Sequence, residues 1–519
     1  MSRRAAERTA AELLATFGPA VSTRPPGRRR PDGRSARLNQ WVAPRRGFAR
    51  PGYGWSPVAA PLQVYQAGTH EIGGLFPLLA ASPLPAVGAR MGYDVHSGGA
   101  FYLHPVEFVL RSICTNPNLV LFGEPGRGKS STVVAFLLRM MLTGVRTLIS
   151  GDVKGEYTPL LHALGVAPIM LGRGSSARLN ALDLGPLAAR WDAWSTARQR
   201  DEVDGVLGRW VQLLVALAEA QGYRPTVTDE AALSAVLRQL LGVSDGYTRL
   251  KPITIPDVHR MLSDPDDQLW SSLRFAGRRQ FLDHLRSITD ALANLISGPL
   301  AGLFDAATNF TVDWDAPIQS LDLSRLRTRG DQAVAVALTC LGSWSSLATD
   351  LQEDGELRIV VRDEIWRQLR LGLRAVQAVD SELRLSRAER KIQVLVSHKP
   401  GDFLSVGATG SQEVAIARDL LALCSIRVLL GQSTRVASEL ADVLALSDKE
   451  QEATTGWAND RQGRALWKIE NRTGLRIQTV LSRIERQIFD TNAQLIRVPR
   501  GFRKTDGSVG RNPSVGVRS

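Results

Sequence analysis

The chain has 519 residues, 44% of them hydrophobic, with 64 Lys and Arg against 51 Asp and Glu and a net charge of +13. A single hydrophobic core stops growing near ~250–300 residues, so one small domain is excluded and two or three units are expected. Residues 1–50 hold 12 Arg against three acids, and residues 497–519 hold six basic groups against Asp506, which leaves residues 51–496 within one charge of neutral. A charge-based case for nucleic-acid binding therefore applies to the two arms and not to the body between them. The basic residues comprise 56 Arg and eight Lys, a skew found along the whole chain and read as codon bias of a GC-rich genome. Cys114, Cys340 and Cys424 are odd in number and far apart, which argues against a disulfide framework or a zinc site and for a reducing compartment. No stretch approaches the ~18 apolar residues of a membrane helix, and no apolar signal region follows the N-terminal arginines. These features predict a soluble, cytoplasmic protein.

Residues 1–50 (RPPGRRRPDGRSAR at their centre) cannot bury enough apolar area to offset the entropy of ordering, and are expected to form a disordered basic tail. Residues 51–115 carry short strand-like pieces broken by Gly and Pro, a small β-rich region. The pattern changes at 116. Leu119 to Phe122 is apolar, a Gly-rich loop follows, then a helical run from Ser130 to Met141 and a strand from Thr147 to Val153. Strand, loop, helix and strand open an α/β domain whose first part is 116–183. In 184–300, Val203, Val206, Leu207, Trp210, Leu213, Leu214 and Leu217 recur at three- and four-residue spacing, with turns expected at Pro252, Pro256 and Pro265. This predicts an all-helical insertion. Strand-like runs return in 301–496, at Ile318–Leu323, Ile359–Val361, Gln393–Val396, Ile426–Leu430, Ala465–Ile469 and Ile477–Leu481, so the α/β domain resumes after the insertion. Residues 497–519 lack periodicity and read as a second basic tail.

The segment Gly123-Glu124-Pro125-Gly126-Arg127-Gly128-Lys129-Ser130, with Ser131 next, fits G-x-x-x-x-G-K-[ST] after an apolar strand and before a helix. Glycines let successive N–H groups curl around a phosphate, Lys129 neutralises β/γ oxygens, and the Ser130 hydroxyl ligates Mg2+. ATP and Mg2+ are the implied cofactors. Ile359 to Val361 leads through Arg362 to Asp363 and Glu364, a strand ending in two carboxylates. In a P-loop enzyme the first holds Mg2+ and the second polarises the attacking water. Arg362 interrupts that apolar run. Asp152, Lys154 and Glu156 lie in SGDVKGEY at another strand end, which faces the ligand crevice of an open α/β sheet. His398 ends a further strand (QVLVSHKP) and could sense the γ-phosphate or orient water.

Together these blocks resemble the HerA/FtsK superfamily of P-loop motors, and more closely the conjugal-transfer ATPases of type IV secretion, the TraC/TraE-like or VirB-four group. Asn116-Pro117-Asn118 is similar to the family's lead-in. SGDVKGEY resembles D-P-K-G-E-Y with Val153 for Pro, and Arg178 to Asp183 resembles R-L-N-P-L-D with Pro lost. Gly302 to Asp305, Leu321 to Ser324, VVRDEIW, Gly463 to Trp467, Ile484-Glu485 and Asp490-Thr491 follow in family order, so the likeness spans about residues 85–495. Ser397-His398 stands where the family often has a T-Q pair. The resemblance implies a RecA-like P-loop NTPase domain with an inserted helical subdomain, ATP hydrolysis and a hexameric homo-oligomer. It also implies an arginine reaching the next subunit's γ-phosphate, for which Arg435, Arg464 and Arg472 are candidates and Arg472 the first choice.

The same resemblance implies work at the cytoplasmic face of the cell membrane, with membrane-embedded secretion or conjugation channel proteins as partners. Full-size members carry a large N-terminal domain, whereas about 115 residues precede the loop here, so a separate protein is expected to supply that part. The basic tails are expected to give weak contact with DNA or an anionic membrane. Two other functions stand beside the secretion motor: a DNA-translocating coupling protein or FtsK/HerA-like pump, and a P-loop scaffold that binds nucleotide without turning it over.

Overall fold

The computed structural model describes residues 84–488, apart from 173, 186–187, 189–190, 244–251, 351–355, 400 and 408–409 and the side chains of 347–350, 404 and 442. The expected basic tails, 1–50 and 497–519, lie outside the described residues, as do 51–83 of the β-rich region and Asp490 and Thr491.

Among the described residues eleven strands join one sheet. In chain order they are β1 (Ala89–Asp94), β2 (Ala100–Leu103), β3 (Leu119–Phe122), β4 (Arg146–Asp152), β5 (Ile169–Met170), β6 (Ile318–Asp322), β7 (Arg358–Asp363), β8 (Lys391–Ser397), β9 (Ile426–Leu430), β10 (Arg464–Ile469) and β11 (Leu475–Thr479). Their spatial order is β2-β1-β11-β10-β9-β3-β8-β7-β4-β6-β5. Neighbours from β9 through β5 pair in parallel, and those from β9 back to β2 pair antiparallel. The strands of the β-rich lead-in thus extend the main sheet through β11.

Burial on both faces explains why the central strands read as unbroken apolar runs. In β3, Leu119 and Leu121 pack with Val133 and Phe136 of the helix Lys129–Met141. Val120 and Phe122 face the opposite side, with Leu383, Leu420 and Leu440 of the helices Leu373–Leu385, Gln412–Ala422 and Thr434–Leu444. Cys114, Cys340 and Cys424 are free and buried.

The described part of 184–300 is helical. After a short turn at Trp191–Ala193 come Thr196–Glu219, Val227–Leu241, Ile255–Ser263, Asp267–Ser272 and Arg278–Ser297. Ser195, Thr226, Thr254 and Asp266 cap four of these helices through N-terminal side-chain bonds. Pro256 lies in a first turn, where the missing N–H costs nothing. The stripe anticipated from Val203 to Leu217 is buried and continuous with Leu321, Leu338 and Trp344. Each such side chain contributes roughly 1.5–3 kcal/mol by leaving water, so the insertion shares one core with the sheet's β6 side. The last expected strand is displaced by two residues: Leu475 pairs with Trp467 and Ile477 with Ala465 across the hairpin. The cross-strand partner, not the local apolar run, sets its start. No described helix is long and apolar enough to cross a membrane.

Candidate nucleotide site

Parallel pairing brings the carboxyl ends of β3, β8, β7 and β4 side by side. Phe122 is level with Ser397, Asp363 with Val396, and Ile149 with Val361. Each end delivers polar groups to one place, so residues up to 275 positions apart in sequence become neighbours.

The phosphate loop leaves β3 at Gly123, whose N–H donates to the His398 carbonyl at 3.2 Å. Gly128 caps the following helix at φ 98°, and a Cβ there would lie 3.0 Å from the Gly463 nitrogen, so only glycine fits. The helix starts at Lys129, one residue before the expected Ser130, and its free N–H groups point into the loop. Pro125 and Gly126 form the exposed tip. The Ser131 hydroxyl donates to the Gly128 carbonyl at 3.0 Å and steadies the first turn.

Two distant segments clamp this loop. The Ser433 N–H donates to Glu124 Oε1 at 2.9 Å. Arg127 Nη1 donates to the Asn459 carbonyl at 3.0 Å, Gln462 Nε2 to the Gly126 carbonyl at 2.8 Å, and the Gly463 N–H to the Arg127 carbonyl at 3.1 Å. Nothing local in the sequence signals the 459–463 clamp; only the order of the Gly463 block pointed there.

Lys129 Nζ donates to the Gly123 carbonyl at 2.5 Å and to His398 Nδ1 at 2.8 Å. Burial, reinforced by the ammonium of Lys154, brings its pKa down to about 8. An anion between the two lysines would relieve both effects. The Ser130 hydroxyl donates to Glu156 Oε2.

Glu364 follows β7 in the left-handed region, at φ 53°, a strained placement that turns its side chain back over the strand ends. Its Oε1 meets Lys154 Nζ and, at 2.9 Å, His398 Nε2, and its Oε2 accepts from the Trp366 indole N–H. Burial opposes the charge on Glu364, but the bonds from His398 and Lys154 prevail and hold its carboxyl well below the usual range. Asp363 is buried, and that burial, with Glu156 and Glu364 nearby, pushes its carboxyl well above the usual range. Ser130, Asp363 and Glu156 supply hard oxygen donors of the kind Mg2+ takes. Among the described residues no three His, Cys, Asp or Glu form a metal cage, and Mg2+ held by one or two carboxylates plus substrate phosphates needs none.

Arg362, the apparent flaw in the acidic strand, points away from this site. It is buried on the other side of β7, paired with Glu382 and 3.5 Å from both Gln393 Oε1 and Gln368 Oε1. Strand alternation sends 362 one way and 363 the other.

Asp152 is fully buried and does not open toward the loop. Its Oδ1 accepts the N–H groups of Lys154, Gly155 and Glu156 at 3.2, 2.7 and 3.1 Å, and its Oδ2 that of Tyr157 at 3.0 Å. It shapes a turn that lifts Lys154 and Glu156 into the site. Burial raises its pKa to about 6 against the pull of those donors. Gly151, at φ 100°, sits where the β4–β6 register slips and so helps aim this turn.

The three arginines are spread out. Arg464 lies beside its own loop, bonded to Asp460 and the Trp457 carbonyl at 3.2 and 3.1 Å. Arg435 is exposed at the start of the helix after β9, at the loop end of the sheet. Arg472 is exposed in the β10–β11 turn. Because Ile469 pairs with Ile426 at the start of β9, that turn lies at the opposite end of the sheet, and Arg472 is not part of its own chain's site.

No family model and no curated protein sequence matches the chain. Its fold does match solved structures. VirB4 of Thermoanaerobacter pseudethanolicus superposes with a TM-score of 0.60 at 19% identity, over 79% of this chain and 100% of that one. The bacterial conjugative coupling protein TrwBdeltaN70 in its unbound monoclinic form gives 0.50 at 13% identity, over 79% and 92%. TrwB in complex with the non-hydrolysable ATP analogue ADPNP gives the same values. The chain shares the α/β fold of these proteins, as its motif order led one to expect.

Proposed function

We propose that the chain is an ATP-hydrolysing motor that powers a type IV secretion or conjugative DNA-transfer machine. The observation that carries this reading is the convergence of Lys129, Ser130, Asp363, Glu364 and His398 at adjacent parallel strand ends, within a fold shared with VirB4 and TrwB. The loop N–H groups and Lys129 bind the β- and γ-phosphates. Ser130 and Asp363 hold Mg2+, which neutralises developing phosphate charge. Glu364 accepts the proton of the water whose oxygen attacks the γ-phosphorus as ADP leaves. His398 links Lys129 to Glu364. Lys129 is the only donor facing Nδ1, so Nδ1 accepts and the ring proton sits on Nε2, directed at Glu364.

The assembly we propose is a hexameric homo-oligomer, associated with membrane-embedded channel proteins at the inner face of the cell membrane and with a separate protein that supplies an N-terminal domain. Arg472 reaches the neighbouring subunit's γ-phosphate, with Arg435 and Arg464 as the other candidates. The motor divides as 116–183 and 301–496 around the insertion 184–300.

The test is Mg2+- and ATP-dependent phosphate release by the purified chain. Glu364→Gln should retain nucleotide binding and lose turnover by about 10²–10⁴-fold, and Lys129→Ala should lose binding itself. Absence of turnover in every oligomeric state, with DNA transfer unaffected by Lys129→Ala, would refute the reading. The TrwB likeness keeps a DNA-pumping coupling protein as the second reading. Strong, salt-sensitive stimulation of turnover by DNA would select it.

A further inference from the structure

The turn after β4 contributes two charged side chains that the phosphate-loop reading does not use. Lys154 Nζ ion-pairs with Glu364 Oε1, lies 3.8 Å from Glu156 Oε1 and 3.4 Å from His398 Nε2. Glu156 in turn accepts from the Ser130 hydroxyl. Ser130, Glu156, Lys154, Glu364, His398 and Lys129 thus form a closed ring of contacts around the mouth of the loop. Both lysines lean on the same histidine, one at each ring nitrogen. Four backbone N–H bonds to Asp152 hold the turn in place, and the Lys154 side chain is still about one-third exposed. A rigid base with an accessible ammonium tip is suited to greet an anion.

We propose that Lys154 is a second phosphate-binding lysine, supplied in cis, which exchanges its contact with Glu364 for the γ-phosphate and so couples the presence of that phosphate to release of the catalytic carboxylate. Without a γ-phosphate, Lys154 occupies the Glu364 oxygen that must otherwise face water. A γ-phosphate beside Lys129 offers a more highly charged acceptor, and Lys154 turns to it by side-chain rotation with no change in its turn. Glu364 Oε1 is then left to His398 and water. ADP lacks the group that draws Lys154 away, so Glu364 stays capped after product formation. Glu156 remains on Ser130 and gives Lys154 a counter-charge in either position. No bond is made or broken by Lys154; it is a positioning residue whose effect on turnover passes through Glu364.

This inference rests on the hydrolytic reading of the site, but its central test does not. Binding of ADP and of a non-hydrolysable ATP analogue, each with Mg2+, is measured on the full chain for wild type, Lys154→Met and Lys154→Arg. Lys154→Met is expected to weaken the analogue about tenfold or more, the scale of one lost charge-assisted hydrogen bond, and to change ADP by less than about twofold. Lys154→Arg should restore most of the preference for the analogue. In turnover, Lys154→Met is expected to lower kcat by about 10²-fold, the scale of removing one preorganised electrostatic donor, with a smaller rise in KM. Lys154→Gln carries the same comparison where Lys154→Met does not fold. Equal weakening of both nucleotides, or an unchanged ratio, overturns the proposal. A wild-type chain that binds the analogue without turnover would sink the hydrolytic reading, while the ratio of affinities still decides the role of Lys154.

Discussion

Asp152 offers a test with an unambiguous sign. Four N–H donors surround its carboxylate, which by itself would hold the pKa low, yet complete burial and the neighbouring Asp322 push it up to about 6. An unfolded Asp titrates near 3.9. The folded state therefore binds more protons than the unfolded state between about pH 4 and pH 6. A raised folded pKa means stability that is fully present below the unfolded value and lost as pH rises through the folded one. The shift corresponds to about 3 kcal/mol lost across that window.

Asp152→Asn removes the titration. It also removes one acceptor oxygen from the set, a pH-independent cost of about 1–2 kcal/mol because one turn N–H, that of Tyr157, is left facing an amide NH2. The stability difference between wild type and variant isolates this residue from all other titrating groups. Chemical denaturation at several pH values from 4 to 7.5 should show wild type ahead by about 1–2 kcal/mol at pH 4 and level with or behind the variant at neutral pH. A wild-type advantage that grows with pH would mean that the four donors outweigh burial, and would refute the reasoning.

Three further outcomes follow from the geometry. Arg362→Met leaves Glu382 without its buried partner and should cost about 3 kcal/mol in denaturant unfolding, most of it recovered by adding Glu382→Leu; strictly additive losses would show that the two side chains do not act as a pair. Gly128→Ala forces a side chain into a left-handed cap beside Gly463 and should cost about 1–2 kcal/mol while weakening ADP binding, read by melting temperature and nucleotide titration. Deleting 1–50 and 497–519 should leave basal ATP turnover intact and abolish salt-sensitive retention on DNA or anionic vesicles; collapse of turnover would make the arms part of the motor.

The phosphate loop was legible because its chemistry is contiguous. Eight successive residues, set between an apolar run and a helical one, specify a local conformation whatever the rest of the chain does. The parallel strands were legible for a related reason: burial on both faces removes polar alternation, so LVLF and IRVLL stand out. Asp363 and Glu364 could be read as a strand end, but not Arg362 beside them. Its meaning depends on Glu382, twenty residues away on a helix that covers the far face. Asp152 was taken as a nucleotide-facing residue because its strand end faces the crevice. That position does not reveal whether a carboxylate faces the crevice or the backbone of its own turn.

The sequence by itself determined the motif, the α/β alternation, the helical insertion and the segregation of charge to the ends, because these follow from spacing, periodicity and composition within a few turns of chain. Only the tertiary structure decided that Lys154 and Glu156 join the site, that 459–463 clamps the loop, and that Arg472 lies at the other end of the sheet from its own phosphate loop. Those outcomes depend on which strands pair and in what register, and a hydrogen bond between residues 332 positions apart, such as Arg127 to Asn459, leaves no mark on the local pattern of either.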